Sequence, residues 1–164
     1  MRVLIVGGGG REHALAWKLA RSPLLEKMYC LPGNPGIADH AECLDLKKSG
    51  VEALQEWALN NKIDLTVVGP EAPLVEGLAD RFREAGLKVF GPGSRGARLE
   101  GSKVWTKHFL EKYKVPTAAS RTFDDYEAAL GYAMEQDYPL VIKADGLAAG
   151  KGVTVARTPQ QAKK

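Results

Sequence analysis

Val3–Ala20 reads VLIVGGGGREHALAWKLA, and this one stretch sets the fold class. Val3 to Val6 is a short apolar run, mostly β-branched, as in a strand buried on both faces. Glycines 7 to 10 follow. Arg11 to Arg21 is helix-like, with Ala14, Leu15, Leu19 and Ala20 toward one side. Strand, glycine loop and helix in this order predict an α/β unit.

Outward from that stretch the pattern repeats. Lys27 to Leu31 reads as a second strand ending in PGNPG, Pro32 to Gly36. A further short strand is expected at Cys43 to Leu46. Val51 to Asn61 is amphipathic, with Val51, Leu54, Trp57 and Ala58 at helical spacing. Ile63 to Val68 is a strongly apolar strand closed by GPEAP. Pro73 to Ala85 is expected to be one helix, with proline in its first turn and Gly86 as its stop. Leu87 to Phe90 is a strand closed by GPG. Alternating strands and helices predict a doubly wound parallel sheet over residues 1–92. The loops Gly7–Gly10, Pro32–Gly36, Gly69–Pro73 and Gly91–Gly93 then share the carboxyl edge, where open α/β sheets bind ligands.

Residues 93–118 read as a helical linker, interrupted at Gly101–Ser102. A second unit, residues 119–164, begins after VPT. It is expected to hold a strand at Ser120–Phe123 and a helix at Asp124–Gln136, N-capped by Asp124 or Asp125. Strands follow at Leu140–Ala144 and Val153–Ala156. TPQQ, Thr158 to Gln161, carries an N-cap, a first-turn proline and a capping-box glutamine. Those are helix-start signals about one turn before Lys164. The expectation is that Lys164 is not a natural C-terminus.

The four-glycine loop does not fit G-x-G-x-x-G. From Gly7 the count runs Gly7, Gly9, Glu12; from Gly8 it runs Gly8, Gly10, His13. The acidic residue expected after the second strand for a ribose hydroxyl is also missing. The loop suits a smaller phosphate, held by backbone N–H groups at a helix N-terminus. A turn without ligand is the alternative. Arg11 is placed to reach a phosphate. Glu12 is placed to hold a sugar hydroxyl or an amine, or simply to favour the helix dipole.

GLAAGKGV, Gly146 to Val153, is not a P-loop. Gly152 stands where Ser or Thr would bind Mg²⁺, and a strand follows instead of a helix. It reads as a hairpin flap carrying Lys151, as kinases use over nucleotide phosphates. The competing reading is an ordinary hairpin with a solvated lysine. Lys143 interrupts an apolar strand, VIKA, and so calls for a buried partner or a ligand.

The 164 residues are 45% hydrophobic and 26% charged, with net charge +3. Lysines and arginines are scattered, without the basic stripe of a nucleic-acid binder. No apolar run approaches a membrane helix. A cytoplasmic location is the default, with Cys30 and Cys43 as two reduced, packed thiols.

The segments VLIVGGGGREHALAWKLA, PGNPG, DLTVVGPEAPLVEGLAD, VFGP, LEGSK and VIKADGLAAGKGV, in this order, together resemble the phosphoribosylamine–glycine ligase family, also called glycinamide ribonucleotide synthetase. The family belongs to the ATP-grasp enzymes of purine synthesis. The resemblance implies a Rossmann-like pre-ATP-grasp domain followed by the start of an ATP-grasp small subdomain. It implies ATP-dependent joining of glycine to 5-phosphoribosylamine through glycyl phosphate, giving glycinamide ribonucleotide, ADP and phosphate. Carried over by motif, Gly8, Gly9, Gly10, Arg11 and Glu12 match the phosphoribosylamine pocket. Pro32, Gly33, Asn34 and Glu71 match it too. Lys103, Lys143 and Lys151 match the ATP side, with Gly150 and Gly152 giving the flap mobility and Lys143 and Lys151 acting in catalysis. One glycine of the first loop stands where some members carry asparagine. The Mg²⁺ or Mn²⁺ carboxylates, the rest of the adenine pocket and the glycine site would lie in a C-terminal remainder. This stretch alone is therefore expected to be inactive and to hold no metal ligand. A non-catalytic sugar-phosphate-binding module and another ATP-grasp carboxylate–amine ligase are the alternative readings.

Overall fold

The computed structural model describes residues 1–46, 50–148 and 150–163. Ala149 and Lys164, included in the expectations above, lie outside the described residues. The chain divides into two compact units, Met1–Ala97 and Arg98–Lys164.

The first unit is a parallel sheet of five strands: β1 (Arg2–Gly7), β2 (Lys27–Pro32), β3 (Glu42–Cys43), β4 (Leu65–Val68) and β5 (Val89–Phe90). Their order is β3-β2-β1-β4-β5, and every neighbouring pair is parallel. The order reverses across β1 and β4, which makes the carboxyl ends of those strands the switch point. Helices α1 (Gly10–Leu19), α2 (Pro35–Ala38), α3 (Val51–Asn60), α4 (Glu71–Val75) and α5 (Leu78–Glu84) connect the strands.

Alternation along β1 explains why both sheet faces are covered. Leu4 and Val6 join Leu54, Ala58, Leu78 and Phe82, from α3 and α5, in one cluster. Ile5 turns the other way, to Ala16 of α1 and Ile37 of α2, with Met28 and Cys30 of β2. A strand buried on both sides needs no polar residue, and Val3–Val6 has none.

Four expectations are corrected in this unit. The expected helix Pro73–Ala85 is two helices that begin at Glu71. Gly77, at φ 89° and ψ 17°, breaks the run in the left-handed region. The break lets Leu74 and Leu78 both be buried. The expected strand Cys43–Leu46 is the two-residue β3, one position earlier. Cys43 is not packed; it is exposed, and only Cys30 is buried. Ile63 precedes β4 and instead seats its side chain in the core.

The second unit runs through α6 (Ser94–Gly101, which straddles the boundary), α7 (Lys103–Lys112), α8 (Tyr126–Met134), β6 (Leu140–Lys143), β7 (Val153–Ala156) and α9 (Pro159–Ala162). Ser102 N-caps α7, its Oγ accepting the Trp105 N–H at 3.1 Å. Asp125 does the same for α8, accepting the Ala128 N–H at 2.8 Å. Thr158 caps α9, and Gln161 Oε1 accepts the Arg157 N–H at 2.7 Å. β6 and β7 pair antiparallel, Leu140 with Ala156 and Lys143 with Val153. The expected strand at Ser120–Phe123 is absent: these residues carry no ladder bonds, for among the described residues of the unit no strand pairs with them.

Candidate functional site

The carboxyl edge of the first unit gathers three loops. The β1–α1 loop and the β2–α2 loop touch through backbone: Gly33 N–H donates to the Gly7 carbonyl at 3.2 Å. Asn34 Nδ2 donates to the Gly8 carbonyl at 2.9 Å, while its Oδ1 accepts the Ile37 N–H at 2.9 Å. Asn34 therefore caps α2 and ties it to the glycine loop in one side chain. Gly33, at φ +77°, turns the chain where an L side chain is strained.

Glu12 is the buried centre of this edge, 5% exposed. Its Oε2 accepts the Gly9 N–H at 2.6 Å, satisfying one of the unpaired donors at the start of α1. A Cβ on Gly7 would stand 2.7 Å from Glu12 Cγ, and one on Gly69 would stand 2.5 Å from Glu12 Cδ. The two glycines leave the volume the carboxylate fills. Arg11 also reaches Gly69, donating to its carbonyl at 2.5 Å and joining the β1 loop to the β4 loop. Glu71 opens α4 just beyond that loop. The sequence-chosen residues Gly8, Gly9, Gly10, Arg11, Glu12, Pro32, Gly33, Asn34 and Glu71 thus stand on one edge. Glu12 itself points into the loop it supports.

Beside this edge a cavity of about 380 Å³ opens over the ends of β1 and β2. Gly7 and Pro32 form its floor with Val6 and Leu31; Val51 and Leu54 of α3, with Pro70 and Pro73, form its walls. Among the described residues, Asp45 and Glu76 are the charged groups that line it.

In the second unit, Lys143, Gly150, Lys151 and Gly152 belong to the β6–β7 hairpin, and Lys103 reaches it from α7. Lys143 is exposed at the end of β6, whose Val141 and Ile142 are exposed as well. Of the buried partner or ligand expected for it, the buried partner is not found among the described residues, because this strand is mostly exposed. Lys103 Nζ donates to the Gly146 carbonyl at 2.7 Å. Gly150 sits at φ +77°, and Lys151 N–H donates to the Ala148 carbonyl at 2.8 Å. A Cβ on Gly152 would lie 2.6 Å from the Ala148 Cβ, so the turn closes only on glycine there. Lys151 is exposed.

Three residues with structural roles escaped the sequence reading. Asp145 accepts from Lys103 N–H at 2.7 Å, Val104 N–H at 3.2 Å and Ser102 Oγ at 3.1 Å, and so caps α7 from outside. Its carboxyl is held below the usual carboxylate range, chiefly by the Gly146 backbone N–H and then by these α7 donors. Asp80 accepts the Ser94 N–H at 2.6 Å, which lowers its carboxyl too. The sequence places Gly69 on the ligand-binding edge but does not show that it leaves the room Glu12 fills. Nothing local in the sequence links Asp145 to α7, since the partners are about 42 positions apart.

A sequence model described as phosphoribosylglycinamide synthetase, N domain, matches residues 1–100. That of the ATP-grasp (A) domain of the same synthetase matches residues 101–164. The chain belongs to the phosphoribosylglycinamide synthetase family. Among curated members, the phosphoribosylamine–glycine ligase of Caldanaerobacter subterraneus is 53% identical over 164 residues, 100% of this chain and 39% of the relative. That of Escherichia coli K12 is 55% identical over 164 residues, covering 99% and 38%. The chain thus spans 38–39% of the length of these synthetases. The crystal structure of the Thermotoga maritima ligase superimposes with a TM-score of 0.74 at 32% identity, covering 99% of this chain and 38% of that one. N5-carboxyaminoimidazole ribonucleotide synthetase of Thermus thermophilus shares the fold at 23% identity, with a TM-score of 0.70, covering 98% and 42%.

Proposed function

We propose that this chain supplies the substrate-binding domain and the opening of the ATP-grasp domain of a phosphoribosylamine–glycine ligase. Residues 1–92 are the substrate domain in this reading, 93–118 the linker, and 119–164 the part of the ATP-grasp small subdomain that bears the flap. The observation that carries it is identity of 53–55% with ligases of that name along 99–100% of the chain.

A carboxylate is a poor electrophile, and phosphorylation gives it a leaving group. In the first step a glycine carboxylate oxygen attacks the γ-phosphorus of ATP and ADP leaves. In the second, the amine of 5-phosphoribosylamine attacks the carbonyl carbon of glycyl phosphate. Phosphate departs and the amine loses a proton, leaving glycinamide ribonucleotide. This chain's part is positioning and charge neutralisation. Gly8, Gly10 and Arg11 are suited to the ribose phosphate, and Pro32, Gly33, Asn34 and Glu71 to the sugar. Glu12 shapes that loop from beneath. Lys143, Lys151 and Lys103 are suited to ATP phosphates, with Gly150 and Gly152 shaping the flap.

Among the described residues no group of three or more His, Cys, Asp or Glu side chains is suited to a metal ion. The Mg²⁺ or Mn²⁺ that serves an ATP-grasp ligase would take its ligands, like the glycine site, from a C-terminal remainder, and these 164 residues alone would be inactive. No described helix is long and apolar enough to cross a membrane; a cytoplasmic location is part of the proposal.

An ADP-release assay on the complete polypeptide, omitting each substrate in turn, tests the reading. Release should require glycine and 5-phosphoribosylamine together. Release driven by bicarbonate or another carboxylate would move the chain to a different ATP-grasp ligase.

A further inference from the structure

Two thiols lie against the Pro32–Asn34 turn. Cys30 of β2 and Cys43 of β3 are register partners in a parallel pair. Partners in register on neighbouring strands point to the same face. Gly33 marks that face: a Cβ there would press on Cys43 Sγ, stand 3.1 Å from Cys43 Cβ and 3.5 Å from Cys30 Cβ. Neighbouring strands run about 4.8 Å apart, inside the Cα range of about 4.4–6.8 Å in which a disulfide closes. β3 is a two-residue edge strand held on one side only, so its backbone has room to adjust.

The thiols differ in access. Cys43 is exposed, with its Sγ toward the Asn34 carbonyl at 3.7 Å. Cys30 is buried and donates to the Gly7 carbonyl at 3.2 Å. Both carbonyls belong to the loops of the candidate site.

We propose that Cys43 and Cys30 form a redox-responsive pair: a low-molecular-weight disulfide reacts first at Cys43, and Cys30 then closes a Cys30–Cys43 disulfide beneath Gly33. In the first exchange the Cys43 thiolate attacks one sulfur of RSSR, forming a mixed disulfide and releasing RS⁻. In the second, the Cys30 sulfur gives its proton to solvent and attacks the Cys43 sulfur. The Cys30–Cys43 bond forms, the mixed disulfide breaks, and a second RS⁻ leaves. The chain loses two electrons and two protons, and RSSR is reduced to two RSH. Closure is the slow step. Burial raises the Cys30 thiol to about 12, and the facing Cys43 and Glu12 push it the same way. The closed bond takes the Cys30 proton away from the Gly7 carbonyl, so oxidation acts on the glycine loop itself.

Glutathione disulfide is the probe. The intact chain is incubated with it, free thiols are alkylated, and intact mass and proteolytic peptides are read by mass spectrometry. The chain should end two hydrogens lighter, with the peptides bearing Cys30 and Cys43 joined, and dithiothreitol should restore it. Cys30→Ser should stop with one glutathione on Cys43. If the parent chain keeps glutathione on Cys43 while Cys30 remains alkylatable after denaturation, the pair does not close and the proposal fails. An unmodified parent chain overturns it equally, and neither reading needs the variant to fold.

Discussion

Gly8 rests directly on Gly33: a Cβ on Gly8 would come within 2.5 Å of the Gly33 carbonyl oxygen and 3.2 Å of its carbon. The obstacle is backbone, which cannot rotate away as a side-chain tip can. At Gly10, two positions on, a Cβ meets nothing within 4 Å. Gly8→Ala should therefore destabilise the chain by about 1–3 kcal/mol through overpacking. Gly10→Ala should be neutral or stabilise by about 0.4–1 kcal/mol, because it limits the unfolded chain and suits a helix start. Urea denaturation of both variants decides. Equal midpoints would mean that the two loops are not in contact.

The glycine loop should bind inorganic phosphate through selected amides. Gly9 N–H is already committed to Glu12, so amide shifts on titration should concentrate at Gly8 and Gly10. Arg11→Ala should weaken binding about tenfold or more, the scale of one lost hydrogen bond to a charged group. NMR titration reads both outcomes. A shift largest at Gly9, or an affinity indifferent to Arg11, would contradict this geometry.

Asp145 should support the acid stability of the second unit. Its folded carboxyl is lowered by N–H donors at Gly146 and at the start of α7. The stabilisation it contributes is thus present above the unfolded value of about 4 and fades as pH falls through the lower folded value. Asp145→Asn should flatten that limb of the stability curve. Asp145→Ala should cost about 0.5–2 kcal/mol at neutral pH, as for a lost helix cap, toward the low end because the carboxylate is exposed and screened. Thermal melts between pH 3 and pH 7, roughly the window that brackets a carboxylate, check the sign.

Lys143 and Lys151 should differ in the complete ligase. Lys143 sits in a paired strand opposite Val153, whereas Lys151 sits in the turn between strands. In the proposed ATP site, a lysine held on a strand would contact ATP in ground and transition states alike, so Lys143→Met should mainly raise the KM for ATP. In the same proposed site, a turn lysine would engage only as the flap closes, so Lys151→Met should lower kcat by about 30- to 1000-fold. Steady-state kinetics separates the two. A kcat within about threefold of the parent for Lys151→Met would make that lysine structural.

The sequence alone determined the elements whose signals are local. Val3–Val6 reads as a doubly buried strand because every residue is apolar. Thr158 and Pro159 announce a helix through their own caps. The glycine and proline clusters mark the carboxyl edge because they follow strands. Only tertiary structure decided what those loops do to each other. Glu12 reads as a contact to a sugar hydroxyl or an amine, or as a first-turn carboxylate favouring the helix dipole, until Gly7 and Gly69 are seen leaving space around its carboxylate. Pro73–Ala85 reads as one helix until Gly77 is seen in the left-handed region, with Leu74 and Leu78 buried on either side of the break. Asp145 has no local signal at all, for its donors Lys103 and Val104 come from α7. Caps and periodicity depend on residues a few positions apart, which the chain order displays. Close approach between loops depends on the sheet order β3-β2-β1-β4-β5, which exists only once the strands have paired.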